Sequence, residues 1–414
     1  MQQSLLVNFG GIFKNLYESM GFVQGDWQNY VMILISFVLM YLAIVKKFEP
    51  MLLLPIAFGM FLINIPGAEP VLWGNHPEGD SSYDAVTDRG LLWYLYFGVD
   101  KVIYPPLIFL GIGAMTDFGP LIANPKSMLI GAGAQLGIFV AFVLAILLGF
   151  SVAAAAAIAI IGGADGPTAI MTTSILAEKY VPTIAIAAYS YMALIPFIQK
   201  PLMKLLTTKK ERMIRMKPLR QVSKLEKILF PLIVTLVVGI ILPQSIALLG
   251  MLMLGNLFKE SGVVDRLSTQ AQNGLMNTIT IFLGIAVGSK AKGDIFLTID
   301  TLKIIGLGLF AFAIGTIGGI LVAKIMCKVT KGQINPLIGS AGVSAVPMAA
   351  RISEDVGRQY DPQNHLLMHA MGPNVAGVIG SAIAAGILIA CFNGYIDGTA
   401  TIESVVNAVN CVIA

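Results

Sequence analysis

One carboxylate in this sequence lies in an otherwise apolar stretch, which makes it the first candidate for chemistry. Asp165 falls within the sequence GGADGP at 162–167, with apolar residues on both sides. A carboxylate at membrane depth costs about 2.5–3.5 kcal/mol on insertion scales, and such groups normally serve an ion or a proton path. The flanking glycines allow a turn that exposes carbonyl oxygens, which suit a hard cation. The alternative is that Asp165 only caps a helix starting at Pro167.

A second stretch rich in glycine, serine and proline extends over 335–350. Its amide and hydroxyl groups, Asn335 and Ser344, offer neutral oxygens of the kind that bind Na⁺. Gly339 lies between them, and its lack of a side chain permits close backbone approach. The alternative is that these small residues only pack helices together, as they commonly do in membranes.

Three further polar residues lie in stretches that are otherwise apolar. Asn374 is part of MGPN at 371–374, where the proline frees backbone carbonyls, so it is a candidate oxygen ligand. An asparagine there could instead hydrogen-bond to a neighbouring helix. Tyr189 and Tyr191 lie in one apolar segment, and the residues alone do not choose between them. Packing with a satisfied hydroxyl is the ordinary role for either.

Arg351 directly follows the second of these broken stretches. The planar guanidinium can hold a carboxylate through two parallel hydrogen bonds. That carboxylate could belong to a substrate, or to Glu354 or Asp355 in the same segment. The alternative is that Arg351 is only an anchor at the membrane interface.

The composition indicates how these residues are positioned. Of the 414 residues, 56% are hydrophobic and 12% are charged, against roughly 25% charged residues in soluble domains. The stretches 127–150 and 228–258 contain no charged side chain, and the first is long enough to cross a ~30 Å hydrocarbon layer. The sequence therefore predicts an all-α polytopic membrane protein. Its net charge of +4 is concentrated in one loop and gives no reason to expect nucleic-acid binding.

Charge asymmetry predicts the topology of the spans. The linker 204–227 has nine Lys or Arg residues against two Glu, which places it in the cytoplasm, whereas the acidic loop 66–90 suits the outside. The lysines at 290, 292 and 303 fall on that same outer side and do not fit the rule well. The predicted spans are 30–45, 51–66, 101–115, 128–149, 183–203, 228–242, 245–258, 275–288, 303–326 and 365–391.

The pattern also predicts two related halves. If 153–176 crossed fully, the basic linker would fall outside, so this stretch is predicted to be a re-entrant pair of half-helices. FLGI at 109–112 recurs at 282–285, and IGGA at 161–164 resembles IGSA at 338–341. We therefore expect two inverted repeats of about five transmembrane helices, each with a re-entrant broken-helix hairpin. The predicted divisions are an N-terminal amphipathic segment 1–29, a first repeat 30–203, a basic cytoplasmic linker 204–227 and a second repeat 228–414.

Four longer motifs resemble those of one protein family. They are YPPLIFLGIGAMTDFGP at 104–120, GGADGPT at 162–168, NPLIGSAGVS at 335–344 and MGPN at 371–374. In this order they resemble the β subunits of the biotin-dependent sodium-pumping decarboxylases, which include the oxaloacetate, methylmalonyl-CoA and glutaconyl-CoA enzymes. The resemblance covers nearly the whole chain. The family's important positions fall on Asp165, Tyr191, Asn335, Gly339, Ser344, Arg351 and Asn374.

The resemblance implies an enzyme subunit that decarboxylates carboxybiotin, consumes a proton and couples this step to Na⁺ export. It implies catalytic roles for Tyr191, Arg351 and Asp165. It implies binding of carboxybiotin by Arg351, Asn335 and Gly339. Na⁺ would be bound by Asp165, Asn374 and Ser344.

The implied partners are a soluble biotin-carrier and carboxyltransferase subunit, which presents carboxybiotin, and a small membrane subunit. The implied location is the bacterial inner membrane, in an oligomeric assembly. A Na⁺-coupled secondary transporter, either a carboxylate carrier or a Na⁺/H⁺ antiporter, is the alternative. It would need the same repeats and the same Asp165, but no biotin partner.

Overall fold

The structure is a computed structural model that describes residues 13–14, 16–18, 20–47, 49–74, 89–345 and 347–395. Within these ranges the chain is helical, and the only extended pairing is an isolated bridge between Gly74 and Arg89. The helices of eight or more residues are α1 (Trp27–Ile44), α2 (Pro50–Ile63), α3 (Leu91–Asp100), α4 (Tyr104–Met115), α5 (Ser127–Ala134), α6 (Leu136–Leu147), α7 (Val152–Ala159), α8 (Gly166–Leu176), α9 (Val181–Leu206), α10 (Lys224–Ile241), α11 (Ile246–Ser261), α12 (Met276–Gly288), α13 (Ile299–Val329), α14 (Met348–Tyr360) and α15 (Leu367–Phe392). The predicted all-α class is confirmed.

Each predicted span coincides with helix in the structure, with ends that differ by a few residues. By length and composition, four stretches could cross a membrane unaided: Trp27–Ile44, Ser127–Leu147, Ile299–Val329 and Leu367–Phe392. The remaining predicted spans lie in helices that are shorter, that are bent or that, as in Lys224–Ile241, also contain charged residues at one end. The chain is therefore a multi-pass helical membrane protein, while the number of crossings and the inverted repeat stay predictions.

The chain divides into two compact units, residues 1–98 with 281–298 and residues 99–280 with 299–414. In the first unit, α1 begins at Trp27 because Asp26 and Asn29 form a reciprocal capping box there. The helix thus starts slightly before the predicted end of the N-terminal segment at 29, and residues 1–12 of that segment lie outside the described ranges. Elsewhere in this unit the Asn64 amide donates to the carbonyl of Ala291 at 2.8 Å.

The first unit also accounts for two of the lysines that fit the charge rule poorly. Lys292 forms an ion pair with Glu69, in the acidic loop. The ammonium of Lys290 lies 4.5 Å from the ring centroids of both Trp73 and Tyr96. Both ammonium groups therefore have partners within the first unit, while the positive-inside rule still counts them against the predicted topology.

In the second unit, the predicted break at 162–167 is present. Helix α7 has 8 residues and passes into a 3₁₀ turn at Ile160–Gly163, and α8, with 11 residues, starts at Gly166 with a proline in its first turn. At 1.5 Å per residue these helices are about 12 Å and 17 Å long, so neither crosses a ~30 Å layer alone. Almost all of their residues are buried, so the break lies inside protein.

The turn itself differs from the prediction in one detail. Ala164, and not a glycine, adopts the left-handed backbone conformation, with φ +56°. The neighbouring glycines are required by close packing instead. A Cβ on Gly162 would lie 2.6 Å from the carbonyl carbon of Gly137, and one on Gly166 would lie 2.2 Å from the ring of Tyr189.

The second break is not a copy of the first. Asn335 caps a 3₁₀ helix, Pro336–Gly342, by accepting a hydrogen bond from the backbone N–H of Leu337 at 3.0 Å. The chain then runs extended through Val343 before it resumes as α14. Helix α14 carries four charged side chains between 351 and 358 and exposes a polar face. The second break therefore joins a buried 3₁₀ helix to a polar surface helix.

The second break packs directly on α13 through glycines, which have no side chain. A Cβ on Gly339 would lie 2.4 Å from the carbonyl oxygen of Gly319, and one on Gly319 would lie 2.3 Å from the carbonyl oxygen of Gly339. No side chain fits between the two segments at that separation. The position of the 3₁₀ helix thus depends on a pair of facing glycines.

We predict opposite effects of alanine at two glycines of α13. Gly319→Ala should lower the melting temperature of the detergent-solubilised protein, because overpacking of this kind costs about 1–3 kcal/mol. Gly306→Ala is the matched control: this position is exposed, has open space around it and should gain about 0.5–1 kcal/mol from better helix propensity. Equal shifts for the two variants would contradict the close contact.

Candidate functional site

The site is built around Asp165, which occupies the N-cap position of α8 and is only 5% exposed. Its Oδ2 accepts hydrogen bonds from the hydroxyls of Thr168 and Ser381, each at 2.7 Å. Thr168 belongs to α8, whereas Ser381 belongs to α15, in the other half of the sequence. Neither bond goes to the backbone N–H groups that a capping side chain would serve. The carboxylate is therefore bound by side chains from two distant segments.

The two breaks meet beside Asp165. The backbone N–H of Ser344 donates to the carbonyl oxygen of Gly163 at 3.1 Å. The amide of Asn374 on α15 donates to the carbonyl oxygens of Ala341 and Val343, at 2.9 and 2.8 Å. Helix α15 thus supports the second break through Asn374 and the first through Ser381. The structure brings three of the sequence-predicted residues, at 165, 344 and 374, into one region.

Two oxygen atoms in this region are buried and unused. Neither the Ser344 Oγ nor the Asn374 Oδ1 has a hydrogen-bond partner among the residues that the structure describes. A buried polar atom without a partner costs about 1–3 kcal/mol and calls for an explanation such as an ion or a water. Within the described ranges, Asp165 has no basic side chain as an ion-pair partner. A carboxylate near neutral oxygen donors is the ligand chemistry that a hard cation such as Na⁺ requires.

Asn335 and Gly339 lie at the other end of the second break, where they contact the basic linker and α13. The Asn335 amide donates to the carbonyl oxygens of Arg212 and Ile214, at 3.1 and 2.8 Å, while its oxygen caps the 3₁₀ helix. All of its side-chain hydrogen-bonding groups therefore have protein partners, and two of them fasten the basic linker. The contact of Gly339 with α13 is the backbone packing described above.

A second interaction also attaches the basic linker. Arg215 pairs with Asp361 through two hydrogen bonds of 2.5 and 3.0 Å. The guanidinium lowers the pKa of Asp361, chiefly through these hydrogen bonds. The linker is therefore attached to the second break and to the end of α14.

The two tyrosines of α9 face different neighbours. The ring of Tyr189 is fully buried and packs against Gly166, the residue that follows Asp165. The Tyr191 hydroxyl donates to the carbonyl oxygen of Ile305 on α13, and its ring packs on Gly308. Tyr189 therefore contacts the residue next to Asp165, and Tyr191 contacts α13, a distinction that sequence spacing could not make.

Arg351 lies on the exposed face of α14. The two carboxylates that could have paired with it are engaged elsewhere. Glu354 accepts hydrogen bonds from the backbone N–H groups of Leu366 and Leu367, and Asp355 lies 3.8 Å from the ammonium of Lys200. Within the described ranges the guanidinium has no ion-pair partner, so it is open to an incoming carboxylate.

Sequence reasoning missed the hydroxyls that bind Asp165. Thr168 is three residues further along, a spacing that lets a side chain in the first turn of α8 reach the cap position. Ser381 follows Asn374 by seven residues, or about two turns, and so lies on the same face of α15. Both spacings are visible in the sequence, but the pairing with Asp165, 216 residues away from Ser381, is not.

These features define a class of protein: a helical membrane protein with a buried acidic site suited to a cation. The chain belongs to the family of the Na⁺-transporting oxaloacetate decarboxylase β subunits, whose family model matches residues 28–392. The suspected resemblance is therefore confirmed. Family membership makes the chain a membrane subunit of the sodium-transporting decarboxylases.

Individual relatives agree with this assignment over nearly their full lengths. The methylmalonyl-CoA decarboxylase subunit beta of Propionigenium modestum is 57% identical, covering 91% of this chain and 98% of the relative. The glutaconyl-CoA decarboxylase subunit beta of Acidaminococcus fermentans is 55% identical, covering 92% and 97%. The probable oxaloacetate decarboxylase beta chain of Vibrio cholerae is 49% identical, covering 90% and 98%.

We predict that Asn335→Ala makes the basic linker more sensitive to trypsin. The variant loses two hydrogen bonds to linker carbonyls, and the linker contains several lysines and arginines that trypsin recognises. Cleavage should accelerate by about thirtyfold, since two bonds of ~1 kcal/mol restrain local opening. Asn374→Ala is the control, because its amide bonds lie within the second break instead. An unchanged cleavage rate for Asn335→Ala would contradict the fastening role.

Proposed function

We propose that this chain decarboxylates carboxybiotin and couples the reaction to Na⁺ export. The observation that carries the proposal is Asp165, a buried carboxylate bound by hydroxyls from two segments and by no basic side chain in the described part of the chain. Such a charge favours a cation in its surroundings, since an unpaired charge in a low-dielectric interior is strongly unfavourable. Na⁺ is the transported substrate that meets this requirement.

The names of the relatives support a shared biotin-bound intermediate. Proteins that are 49–57% identical to this chain carry the names of decarboxylases for three different substrates: methylmalonyl-CoA, glutaconyl-CoA and oxaloacetate. A subunit that recognised each substrate itself would need a different pocket in each case. One intermediate common to all three reactions, a carboxyl group carried on biotin, explains how the same subunit serves them.

The proposed reaction is a simple cleavage with proton uptake. The bond between the biotin ring nitrogen and the carboxyl carbon breaks, CO₂ leaves, and the nitrogen retains the electron pair and takes a proton. Arg351 holds the carboxylate of carboxybiotin through its guanidinium fork. Tyr191 supplies the proton, with Tyr189 as the alternative donor.

The Na⁺ ligands are assigned to the region where the two breaks meet. Asp165 supplies the charge, and Asn374 and Ser344 supply the oxygens that lack partners in the described structure. Asn335 and Gly339 contribute to carboxybiotin binding by holding the segment that leads to Arg351. Because the side-chain groups of Asn335 are already hydrogen-bonded, this contribution comes through backbone position.

The finer architecture follows from the charge pattern and the two breaks. We propose two inverted repeats, 30–203 and 228–414, each with a re-entrant hairpin, with 1–29 at the surface and the linker 204–227 in the cytoplasm. The proposed location is the bacterial inner membrane. Proposed partners are a soluble biotin-carrier and carboxyltransferase subunit and a small membrane subunit, in an oligomeric complex.

A Na⁺-coupled secondary transporter is the other class considered for this sequence. The names of the relatives do not favour it, because each names a decarboxylase subunit. A biotin-carrying protein that copurifies with the chain would support the decarboxylase. Its absence from a fully active preparation would support the transporter.

We predict that Asp165→Asn abolishes Na⁺ transport without unfolding the protein. The amide keeps the size of the side chain and an oxygen that can accept from Thr168 and Ser381, but it removes the charge that favours the cation. The assay is ²²Na⁺ uptake by proteoliposomes of the complete complex, with the melting temperature measured on the same preparation. Asp265→Asn, an exposed acidic position, is the control. Normal uptake by a stable Asp165→Asn variant would reduce Asp165 to a structural residue.

We predict that Arg351→Lys slows decarboxylation of free carboxybiotin markedly while Na⁺ dependence changes little. Lysine keeps the charge but cannot form two parallel hydrogen bonds to a carboxylate, so a loss of about tenfold or more is expected. Arg358→Lys, on the exposed face of the same helix, is the matched control. A stable Arg351→Lys variant with normal turnover would exclude this role. A parallel loss of melting temperature would instead assign Arg351 to the stability of α14.

A further inference from the structure

Gln135 is the one side-chain amide in the long uncharged stretch 127–150. It lies where the helix is interrupted, between the end of α5 at Ala134 and the start of α6 at Leu136. The residue is only 6% exposed. A polar side chain at mid-span is unfavourable unless it is hydrogen-bonded, and such residues are commonly functional.

The contacts of Gln135 place it beside the Asp165 region. Its Nε2 lies 3.2 Å from the carbonyl oxygen of Gly377 on α15, four residues before Ser381. A Cβ built on Gly163 would lie 3.7 Å from the Gln135 Oε1 and 3.3 Å from the Ser381 Cβ. The amide therefore lies between the turn that contains Asp165 and the helix face that holds the carboxylate.

The orientation of the amide follows from its one hydrogen bond. Only the NH₂ group can donate to the carbonyl of Gly377, so the oxygen must point away from that carbonyl. Oε1 is buried and has no hydrogen-bond partner among the described residues. If Gln135 served only to connect the two helices, its NH₂ group would be sufficient. Its oxygen would then be a buried acceptor without a partner, which costs free energy.

We propose that the Gln135 Oε1 is a further ligand oxygen of the transported Na⁺, in addition to those of Asp165, Asn374 and Ser344. The inference rests on the proposed function, since it assigns a ligand to the same cation. The Gly377 carbonyl fixes the amide so that its oxygen faces the turn at Gly163. Neutral amide oxygens are suitable ligands for a hard monovalent cation, and this one adds no second charge near Asp165.

The experiment measures equilibrium binding of ²²Na⁺ to the purified complex, without turnover. Gln135→Met keeps the length and removes both polar atoms, so the apparent Kd should rise by about tenfold. Gln135→Glu keeps oxygen atoms at the same side-chain length but loses the donor to Gly377, so Na⁺ binding should fall less than in Gln135→Met. Gln135→Asn moves the amide back by one methylene and should weaken binding, which gives a second polar variant if methionine impairs folding.

Two further variants make the result specific. Asn256→Leu removes a buried amide whose oxygen likewise has no partner among the described residues, but which bonds to the carbonyl of Thr116 in another part of the unit. It should leave Na⁺ affinity unchanged. Asp165→Asn should abolish binding, which tests the proposed function separately.

The outcomes separate the two claims. Normal Na⁺ affinity in the folded Gln135→Met or Gln135→Asn variant, with binding lost in Asp165→Asn, overturns the role of Gln135 and leaves the proposed function standing. Equal losses in Gln135→Glu and Gln135→Met also overturn it, because the bond to Gly377 would then be what matters. Unchanged binding in Asp165→Asn overturns the proposed site and the Gln135 ligand together.

Discussion

The negative charge of Asp165 inside a membrane protein is the constraint on which the rest of this structure depends. Electrostatic interactions strengthen as the dielectric constant falls, so a buried charge must be met by hydrogen bonds and by an opposite charge. Two hydroxyls provide the hydrogen bonds, and they come from α8 and α15. With no basic side chain bound to it in the described ranges, the carboxylate needs a cation or a proton from outside the chain. The proposed Na⁺ site meets that need.

The two broken segments make backbone carbonyl oxygens available beside such a site. Carbonyl oxygens are available as ligands only where the helix hydrogen-bond pattern is interrupted, and interruptions at membrane depth are tolerated only inside protein. Facing glycines at Gly319 and Gly339 let one interruption lie flat on α13, and the bond from Ser344 to Gly163 joins it to the other. The same segment that buries Ser344 then emerges as α14 and exposes Arg351. A single stretch of chain thus connects the surroundings of Asp165 with the surface.

Much of the fold could be predicted from the sequence because membrane helices leave strong local signals. Long uncharged stretches fixed where the helices lie, and the GGADGP sequence indicated the first break. Details that depend on neighbours could not be predicted. Ala164 adopts the left-handed conformation, whereas Gly162 and Gly166 pack closely against Gly137 and Tyr189, in segments that are distant in sequence. A sequence shows which residue types favour the left-handed conformation. It does not show which glycines are required for close contact with another segment.

The candidate site was predictable in a similarly limited way. Asp165, Asn374 and Ser344 are conspicuous because they are polar in apolar surroundings, and the resemblance to a family selected Tyr191 over Tyr189. Asn335 was also selected, yet its side chain fastens the basic linker, a role that depends on carbonyls more than 120 residues away in the chain. A polar residue in an apolar stretch is a candidate for function. Only its neighbours in space show whether it is a possible ligand or a structural contact.

The bond between Ser381 and Asp165 has a consequence for biogenesis. During synthesis, the segment with the carboxylate leaves the ribosome 216 residues before the hydroxyl that completes its surroundings. The nascent chain must therefore hold an incompletely solvated aspartate until α15 is made, and α15 also brings the Asn374 amide that supports the second break. Final assembly of the surroundings of Asp165 is thus linked to the arrival of α15. A chain truncated before α15 would expose the Asp165 carboxylate and incompletely packed helices to quality-control proteases.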